Sequence, residues 1–196
     1  MDLIFATRNK GKLKEIKSAL EPYCVISMDE AGITRDIVED GDTYEANAIK
    51  KAETICRITR TVTLADDSGL EIDCLGKQPG LYSARYLGKE TPYIEKNRLI
   101  LDKMANVPDG KRSARFVCVI AAAFPGGETH TERGVIEGLI AREISNGKNG
   151  FGYDPVFFLP EYGKTMSEIP MELKNEISHR GQALRKMKEF LIKRGG

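Results

Sequence analysis

The sequence lacks the features that are typical of zinc-binding, secreted or membrane proteins. No pair among Cys24, Cys56, Cys74 and Cys118 has CxxC spacing, and each lies among apolar residues, so neither a zinc site nor a disulfide framework is expected. We expect buried thiols in a reducing compartment. No apolar segment approaches the length of a membrane span. The N-terminal stretch MDLIFATRNK has no export-type hydrophobic region, so we expect a cytoplasmic protein.

Neither sign of charge is in excess. The 30 Lys and Arg residues nearly balance the 29 Asp and Glu residues, which leaves a net charge of +1. This balance gives no general electrostatic reason to bind nucleic acid or an anionic membrane, and we expect neither partner. With 196 residues, of which 41% are hydrophobic, the chain is long enough to bury a sizeable core.

No internal repeat or low-complexity linker interrupts the chain, so we expect residues 1–196 to form a single domain. Short apolar runs alternate with amphipathic helical patterns in the first part of the sequence, a β-α-β-α-β order typical of a parallel or mixed sheet with flanking helices. The fold class is therefore α/β, predicted as an elongated mixed sheet with two lobes and a central cleft. The predicted strands are 3–6, 25–28, 62–65, 70–72, 115–124 and 129–141, and the predicted helices cover 13–20, 42–58, 92–104 and 179–191.

Two neighbouring carboxylates follow a predicted strand. The run Val62–Ala65 leads to Asp66 and Asp67, and Ser68-Gly69 is predicted as a turn. Adjacent carboxylates repel each other unless a positive group lies beside them. Together with the acidic pair Glu39-Asp40, they offer the hard oxygen ligands that suit Mg²⁺. The alternative is an ordinary turn in which one aspartate caps the chain and the other faces water.

The segment TRNKGK, Thr7 to Lys12, lies between a predicted strand and a predicted helix. Backbone N–H groups at a helix N-terminus, a glycine and nearby lysines suit a phosphate group. The spacing matches neither the Walker A motif nor the dinucleotide-binding GxGxxG motif. A polar loop with two solvated lysines is the alternative.

Two further segments contain residues suited to a nucleobase. In GFGYDPVF, Gly150 to Phe157, aromatic rings at a glycine turn can stack on a base while a carboxylate accepts from it. In ELKNEISHRGQAL, His179 and Arg180 stand at a predicted helix start with Lys174 nearby, which suits an anion or a carbonyl group. Core aromatics at a turn and a capping serine beside a solvated arginine are the alternatives.

The segments FATRNKGKLKEI, LADDSGLEIDCLGKQPGLYSARY, GFGYDPVF and KNEISHRGQAL, in this order, closely resemble the inosine triphosphate pyrophosphatase family, also called Ham1-like. The resemblance runs from Leu3 to about Leu191. It implies a nucleoside-triphosphate pyrophosphatase, a hydrolase that converts ITP, dITP and XTP to the monophosphate and pyrophosphate. It also implies Mg²⁺ as cofactor and a homodimer as the assembly.

The same resemblance implies roles for individual residues. Asp67 would be both the proton acceptor and a metal ligand, although the sequence does not separate a base from a residue that only binds the metal, and Glu39 would be the second acidic partner of the metal. Arg8 stands where some relatives carry glycine, so its side chain either adds a phosphate contact or points to solvent. The substrate contacts would be Thr7, Arg8, Asn9, Lys10, Gly11 and Lys12 for the triphosphate, Ser68 beside Asp67, and Phe151, Gly152, Tyr153, Asp154, Lys174, His179 and Arg180 for the base and sugar.

Other functions remain compatible with the residues alone. The same acidic pair would serve a phosphomonoesterase or a pyrophosphatase of canonical nucleotides, and the products would distinguish these enzymes. A nucleotide-binding regulator would coordinate Mg²⁺ through Asp67 without cleaving anything. The near-neutral charge makes a nucleic-acid-binding module the weakest alternative.

Overall fold

The computed structural model of the chain describes residues 2–195. Within this range the strands are β1 (Asp2–Phe5), β2 (Cys24–Ser27), β3 (Thr63–Ile72), β4 (Gln78–Pro79), β5 (Ser113–Ala123), β6 (Thr129–Ile140), β7 (Phe157–Leu159) and β8 (Lys164–Thr165). The α-helices of the same range are α1 (Lys10–Ala19), α2 (Tyr44–Thr59), α3 (Tyr93–Lys103), α4 (Met171–Ile177) and α5 (His179–Gly195). None of these helices is long and apolar enough to cross a membrane.

All eight strands belong to one mixed sheet. Their order is β2-β1-β3-β5-β6-β7-β8, and β4 pairs with β3. The pairs of β1 with β2 and with β3 are parallel, with Leu3 opposite Val25 and Phe5 opposite Leu64. The pairs β3-β4, β6-β7 and β7-β8 are antiparallel. The predicted α/β class with a mixed sheet is therefore confirmed.

The described chain divides into two compact units. The first comprises residues 2–67, 118–134 and 179–195, and the second comprises residues 68–117 and 135–178. The single domain, and the two lobes with a central cleft, stay predictions.

The first unit has a core of aliphatic and aromatic side chains around β1, β3, β5, α1 and α5. α1 begins after Asn9, whose side chain accepts from the backbone N–H of Lys12, and α2 begins after Thr43, which caps it in the same way. Ser, Thr, Asp and Asn are the usual helix N-caps for this reason. The buried core residues are Leu3, Phe5, Ile16, Leu20, Val25, Leu64, Cys118, Ile120, Ala122, Phe124, Ala183, Leu184, Met187 and Leu191.

The second unit has its own apolar core, and polar residues lie beside it. Its largest fully buried side chains include Phe157 and the lysines Lys96 and Lys174. Buried lysines need specific partners, because an isolated charge is costly to bury. The buried core residues are Leu70, Ile72, Ile100, Met104, Ala114, Phe116, Ile140, Tyr153, Val156, Phe157, Leu159, Met166 and Ile169.

The structure corrects the prediction for the segment around the two aspartates. Ser68 and Gly69 do not form a turn, because β3 runs without interruption from Thr63 to Ile72. The parallel pairing with β1 ends at Leu64, while β5 flanks β3 on its other side. Strand pairing on that other side keeps the polar segment extended. The aspartates therefore lie within a strand rather than at its end.

α3 begins one residue later than predicted, and its buried face contains polar side chains. The helix begins at Tyr93 with Pro92 at the N-cap position, and the hydroxyl of Thr91 bonds to the Leu87 carbonyl instead of capping the helix. Ile94, an apolar residue of the first turn, is 44% exposed. The buried face instead contains the polar residues Lys96 and Asn97 together with Ile100 and Met104.

The expectation of four buried thiols holds for two of them. Cys56 and Cys118 are buried, whereas Cys24 and Cys74 are exposed. Cys24 is the first residue of β2, a strand at the end of the sheet order, and Cys74 lies in a 3-10 turn after β3. At these positions the thiols of Cys24 and Cys74 lie outside the buried cores of the two units.

Candidate active site

The two aspartates of β3 are both buried, since Asp66 is 1% exposed and Asp67 is 7% exposed. Successive side chains of a strand point to opposite faces, so the two carboxylates meet different neighbours. Asp66 Oδ2 accepts from Lys12 Nζ at 2.6 Å and from Arg180 Nη2 at 3.5 Å. Asp67 Oδ2 accepts from Asn47 Nδ2 at 2.9 Å. Separate partners thus compensate the repulsion within the pair.

Positive charge dominates the surroundings of Asp66. Burial alone would raise the pKa of Asp66, but the charges of Lys12 and Arg180, followed by that of Lys51, lower the pKa well below its usual value. Asp66 is therefore ionised at neutral pH and forms the centre of a group of buried ion pairs.

The neighbouring carboxylate has the opposite shift. Burial raises the pKa of Asp67, although the charge of Lys51 and the hydrogen bond from Asn47 act to lower it. Lys51 is buried and donates a short hydrogen bond to Glu39 Oε1. Burial disfavours the charge of Lys51, but attraction to Asp66, Glu39 and Asp67 raises its pKa. The ammonium of Lys51 thus interacts with all three carboxylates, in addition to the charges of Lys12 and Arg180 beside Asp66.

Arg180 lies among carboxylates of the first unit. Its Nη1 donates to Glu15 Oε2 at 2.6 Å, and both side chains are about one-twentieth exposed, at 4% and 5%. Burial would lower the pKa of Arg180, but Glu15 and Asp66 raise it. His179, the first residue of α5, is also buried. The roles of His179 and Arg180 in reading the base stay predictions.

The segment between β1 and α1 is a hydrogen-bonded turn that leads into a capped helix. Thr7 Oγ1 accepts from the backbone N–H of Asn9 at 3.2 Å, and Asn9 Oδ1 accepts from the backbone N–H of Lys12 at 3.1 Å. α1 begins with Lys10, which is exposed, and Gly11, which is partly buried. The first N–H groups of a helix attract anions, and the lysines add charge. Binding of a triphosphate here stays a prediction.

Arg8 is directed at the protein rather than at solvent. Its guanidinium donates to the carboxylates of Asp29 and Asp36 and to two backbone carbonyls between them. This arrangement is one that the sequence did not predict, because the partners lie more than twenty residues away.

The second unit brings together three of the predicted base contacts. Asp154 Oδ2 accepts from Lys174 Nζ at 2.7 Å and from the backbone N–H of Phe151 at 2.9 Å. Lys174 Nζ lies 5.1 Å from the centre of the Phe151 ring. Gly152 has a φ of +67°, the left-handed region that favours glycine. The turn therefore presents an aromatic ring and a buried ion pair in a fixed conformation.

Neighbouring elements of the second unit support this turn. The Tyr153 hydroxyl donates to the carbonyl of Ser83 at 2.8 Å, and its ring packs edge-on against Tyr93 of α3 at 5.2 Å between centres. Asn97 Nδ2 donates to the Gly152 carbonyl at 3.1 Å. Ser68, predicted as a substrate contact, is partly buried in β3 directly after the two aspartates.

Sequence reasoning missed three residues of the first unit. Asn47 and Lys51 stand four residues apart on α2 and interrupt its buried face, which otherwise contains Tyr44, Ala48, Ala52, Ile55 and Cys56. Polar residues at buried helical spacing are a signal that their side chains have a polar partner. Glu15 shows a similar signal, since it precedes the buried Ile16 in α1.

Two carboxylates of the first unit, Glu39 and Asp67, are of the kind and number that Mg²⁺ takes from a protein. Among residues 2–195 no group of three or more His, Cys, Asp or Glu side chains could hold a metal ion. Mg²⁺ commonly takes only one or two protein carboxylates and completes its shell with water and substrate phosphate. Glu39 and Asp67, two oxygen donors beside the same ammonium of Lys51, match that requirement.

The fold and the site together define a class of α/β protein. Its features are buried carboxylates, lysines that pair with them, and a capped loop of a kind that suits phosphate. The chain belongs to the Ham1 family, whose model matches residues 3–190. The resemblance on which the sequence analysis relied is therefore confirmed.

Individual relatives are similar over nearly the whole chain. A dITP/XTP pyrophosphatase of Desulforamulus reducens is 49% identical, over 97% of this chain and 96% of the relative. The dITP/XTP pyrophosphatase of Bacillus licheniformis is 46% identical, over 97% of both chains. The Ham1 protein of Staphylococcus aureus has a solved structure with a TM-score of 0.88 at 38% identity, over 99% of this chain and all of that one. The predicted enzyme class, a nucleoside-triphosphate pyrophosphatase, is confirmed by this family membership.

Proposed function

We propose that the protein hydrolyses the non-canonical purine nucleoside triphosphates ITP, dITP and XTP to the monophosphate and pyrophosphate. The observation that carries the proposal is the buried Asp66-Asp67 pair, in which Lys12 of the segment Thr7 to Lys12 binds Asp66 and Asn47 binds Asp67. The names of the relatives, dITP/XTP pyrophosphatases, support the substrate class.

In the proposed reaction, a water molecule attacks the α-phosphorus of the triphosphate. A bond forms between the water oxygen and the α-phosphorus, the bond to the bridging oxygen breaks, and pyrophosphate leaves. Asp67 takes the proton of the water, since a carboxylate held in place in β3 by Asn47 can act as a general base. The N–H groups at the start of α1 and the ammonium groups of Lys10 and Lys12 stabilise the negative charge of the phosphates.

A Mg²⁺ ion held by Glu39 and Asp67 would neutralise phosphate charge when bound. The two carboxylates lie in the field of the single ammonium of Lys51, which offsets only part of their negative charge. We also propose, from the family resemblance, that the protein is a cytoplasmic homodimer.

Base selection is assigned to the Phe151 turn and its neighbours. The ring of Phe151 offers a stacking face, and the ammonium of Lys174, held against Asp154, offers a donor. A buried donor pairs with a 6-oxo group, whereas a 6-amino group would leave that donor unpaired, which is costly. The base-reading roles of His179 and Arg180 rest on the family resemblance alone.

The test compares ITP, XTP, GTP and ATP as substrates and identifies the products. It uses the wild-type protein, the variant Asp67→Asn and a control variant, Asp102→Asn. The control changes an exposed carboxylate of α3. We expect monophosphate and pyrophosphate from ITP and XTP, with little turnover of ATP or GTP. Asp67→Asn should lower turnover by about 10²–10⁴-fold, the usual contribution of a general base. Asp102→Asn should retain wild-type turnover.

Three results would contradict the proposal. Orthophosphate release would indicate a phosphomonoesterase, and equal use of ATP would indicate a general pyrophosphatase. Binding of ITP without cleavage by the wild-type protein would indicate a regulator.

A further inference from the structure

One arginine connects the phosphate loop to a long irregular segment of the first unit. Residues 28–43, between β2 and α2, contain neither a strand nor an α-helix. Arg8 Nε donates to Asp29 Oδ1 at 3.1 Å and its Nη1 donates to Asp36 Oδ1 at 2.5 Å. Its Nη2 donates to the carbonyls of Ile33 at 2.9 Å and Arg35 at 3.4 Å. A single guanidinium thus spans eight residues of this segment.

The chemistry of arginine explains why this side chain can hold such a segment. A guanidinium presents five N–H donors in a rigid planar fork, whereas a lysine ammonium is a compact point charge on a flexible stem. The two carboxylates are largely exposed, at 68% and 76%, and ion pairs of this kind contribute little on their own. The hydrogen bonds to the carbonyls of Ile33 and Arg35 act on the main chain itself, so they hold the backbone of the segment in its path.

The held segment leads directly to a proposed metal ligand. Glu39 follows Asp36 by three residues and accepts from Lys51. Arg8 itself lies between Thr7 and the helix cap Asn9. The side chain of Arg8 is therefore bonded to the segment that precedes Glu39. The backbone of Arg8 belongs to the loop that is proposed to bind phosphate.

We propose that Arg8 is a positioning residue that holds Glu39 in place by binding residues 29–36 to the phosphate loop. The inference rests on the proposed function for the role of Glu39, but the contacts of Arg8 do not depend on it. With its donors directed at this segment, Arg8 stabilises the site rather than reading the triphosphate.

Amide hydrogen exchange tests the contact without any substrate or metal. Arg8→Ala should increase exchange across residues 33–41, because the segment loses its four hydrogen bonds to the guanidinium. Lys17→Ala is the matched control: it removes an exposed ion pair to Glu30 of the same segment but leaves the Arg8 contacts intact. Unchanged exchange in Arg8→Ala, or an equal increase in Lys17→Ala, would overturn the proposal.

A double-mutant cycle tests whether Arg8 acts through Glu39. Arg8→Ala should lower kcat/KM for ITP by about tenfold to a hundredfold, because small displacements of a site residue have effects of that size. Arg8→Lys should restore only part of the activity. In a Glu39→Gln background, Arg8→Ala should add less than about twofold, since coupled residues are not additive.

The outcomes of the cycle are separable from the proposed function. Full additivity of Arg8→Ala and Glu39→Gln would contradict positioning through Glu39. If the wild-type protein leaves ITP intact, the proposed function fails, while the exchange comparison between Arg8→Ala and Lys17→Ala still decides whether Arg8 holds the segment.

Discussion

Asp66 and Asp67 are neighbours in one strand and are both buried, yet their pKa values shift in opposite directions. The charges that contact Asp66 exceed the penalty of burying it, so its pKa falls. Asp67 has an amide as its direct partner, and burial prevails, so its pKa rises. The alternation of side chains along a strand separates the two environments. We infer that Asp66 is a structural anion and Asp67 the reactive carboxylate.

Replacing each aspartate by asparagine should therefore have different effects on stability. Asp66→Asn leaves Lys12 and Arg180 without their shared buried carboxylate, which should lower the free energy of unfolding by about 3–5 kcal/mol. Asp67→Asn removes a carboxyl group whose charge is disfavoured by burial, so it should be neutral or stabilising. Urea unfolding at pH 7 in the presence of EDTA measures both changes. Equal losses for the two variants would contradict the assignment.

The pH dependence of Asp66 has a definite sign. Because its pKa is lower in the folded protein than the ordinary value of 3.8, the folded state binds this proton less tightly than the unfolded chain. Its contribution to the free energy of unfolding is present above about pH 4 and is lost as the pH falls further. Asp66→Asn should accordingly show a shallower loss of stability below pH 4 than the wild-type protein.

The four thiols should differ in reactivity according to their burial. Burial raises the pKa of Cys118 to about 12 and also raises that of Cys56, whereas Cys24 and Cys74 are exposed. Alkylation depends on an accessible thiolate. Iodoacetamide at pH 8, followed by peptide mass spectrometry, should modify Cys24 and Cys74 in the folded protein and all four thiols after denaturation. Early modification of Cys118 would contradict its placement in the core.

At this scale the sequence predicted the acidic pair but not its partners. The order of residues along the chain is enough to place Asp66 and Asp67 beside a predicted strand and Lys12 beside a glycine. Contacts across 54 and 20 residues, to Lys12 and to Asn47, depend on the register of packed elements. No pattern in one sequence specifies that register.

The long helices α1, α2, α3 and α5, the long strands β5 and β6 and the four-residue strands β1 and β2 were predicted, whereas the shortest strands, β4, β7 and β8, were not. The patterns of α1, α2, α5 and β5 match their structures because each has an apolar face or run that is buried. β7 and β8 have three and two residues, too few to show any alternation. β3 was divided in error at Ser68-Gly69, since residues with turn propensity become extended when a neighbouring strand pairs with them.

α3 shows how an element can support a site that it does not contain. Its buried face presents Lys96 to the carbonyl of Ala84 at 2.7 Å and Asn97 to the carbonyl of Gly152 at 3.1 Å. Burial lowers the pKa of Lys96. Both side chains therefore hold backbone turns of the second unit, which explains why polar residues lie on the buried face of this helix.

Asn97→Leu should disturb the Phe151 turn with little change in volume. The variant leaves the Gly152 carbonyl without its donor, so we expect KM for ITP to rise several-fold while kcat changes less. The buried Asn97 Oδ1 has no hydrogen-bond partner within residues 2–195, so its loss should carry little penalty. Steady-state kinetics measure the effect, with Arg98→Ala as an exposed neighbouring control. An unchanged KM would exclude a supporting role for Asn97.

For the whole molecule, the sequence was sufficient for the fold class and the family. Both depend on features spread along the chain, namely the alternation of strands and helices and the order of four motifs. The order of strands in the sheet was not predicted, because non-sequential neighbours such as β1 and β3 are fixed by packing rather than by local pattern.

The central claim is that water attacks the α-phosphorus of a 6-oxo purine triphosphate and that pyrophosphate leaves. Hydrolysis of ITP in ¹⁸O-labelled water, followed by mass spectrometry of the separated products, tests it most directly. We predict one labelled oxygen in the monophosphate and none in the pyrophosphate. Label in pyrophosphate, or labelled orthophosphate as the product, would contradict the account.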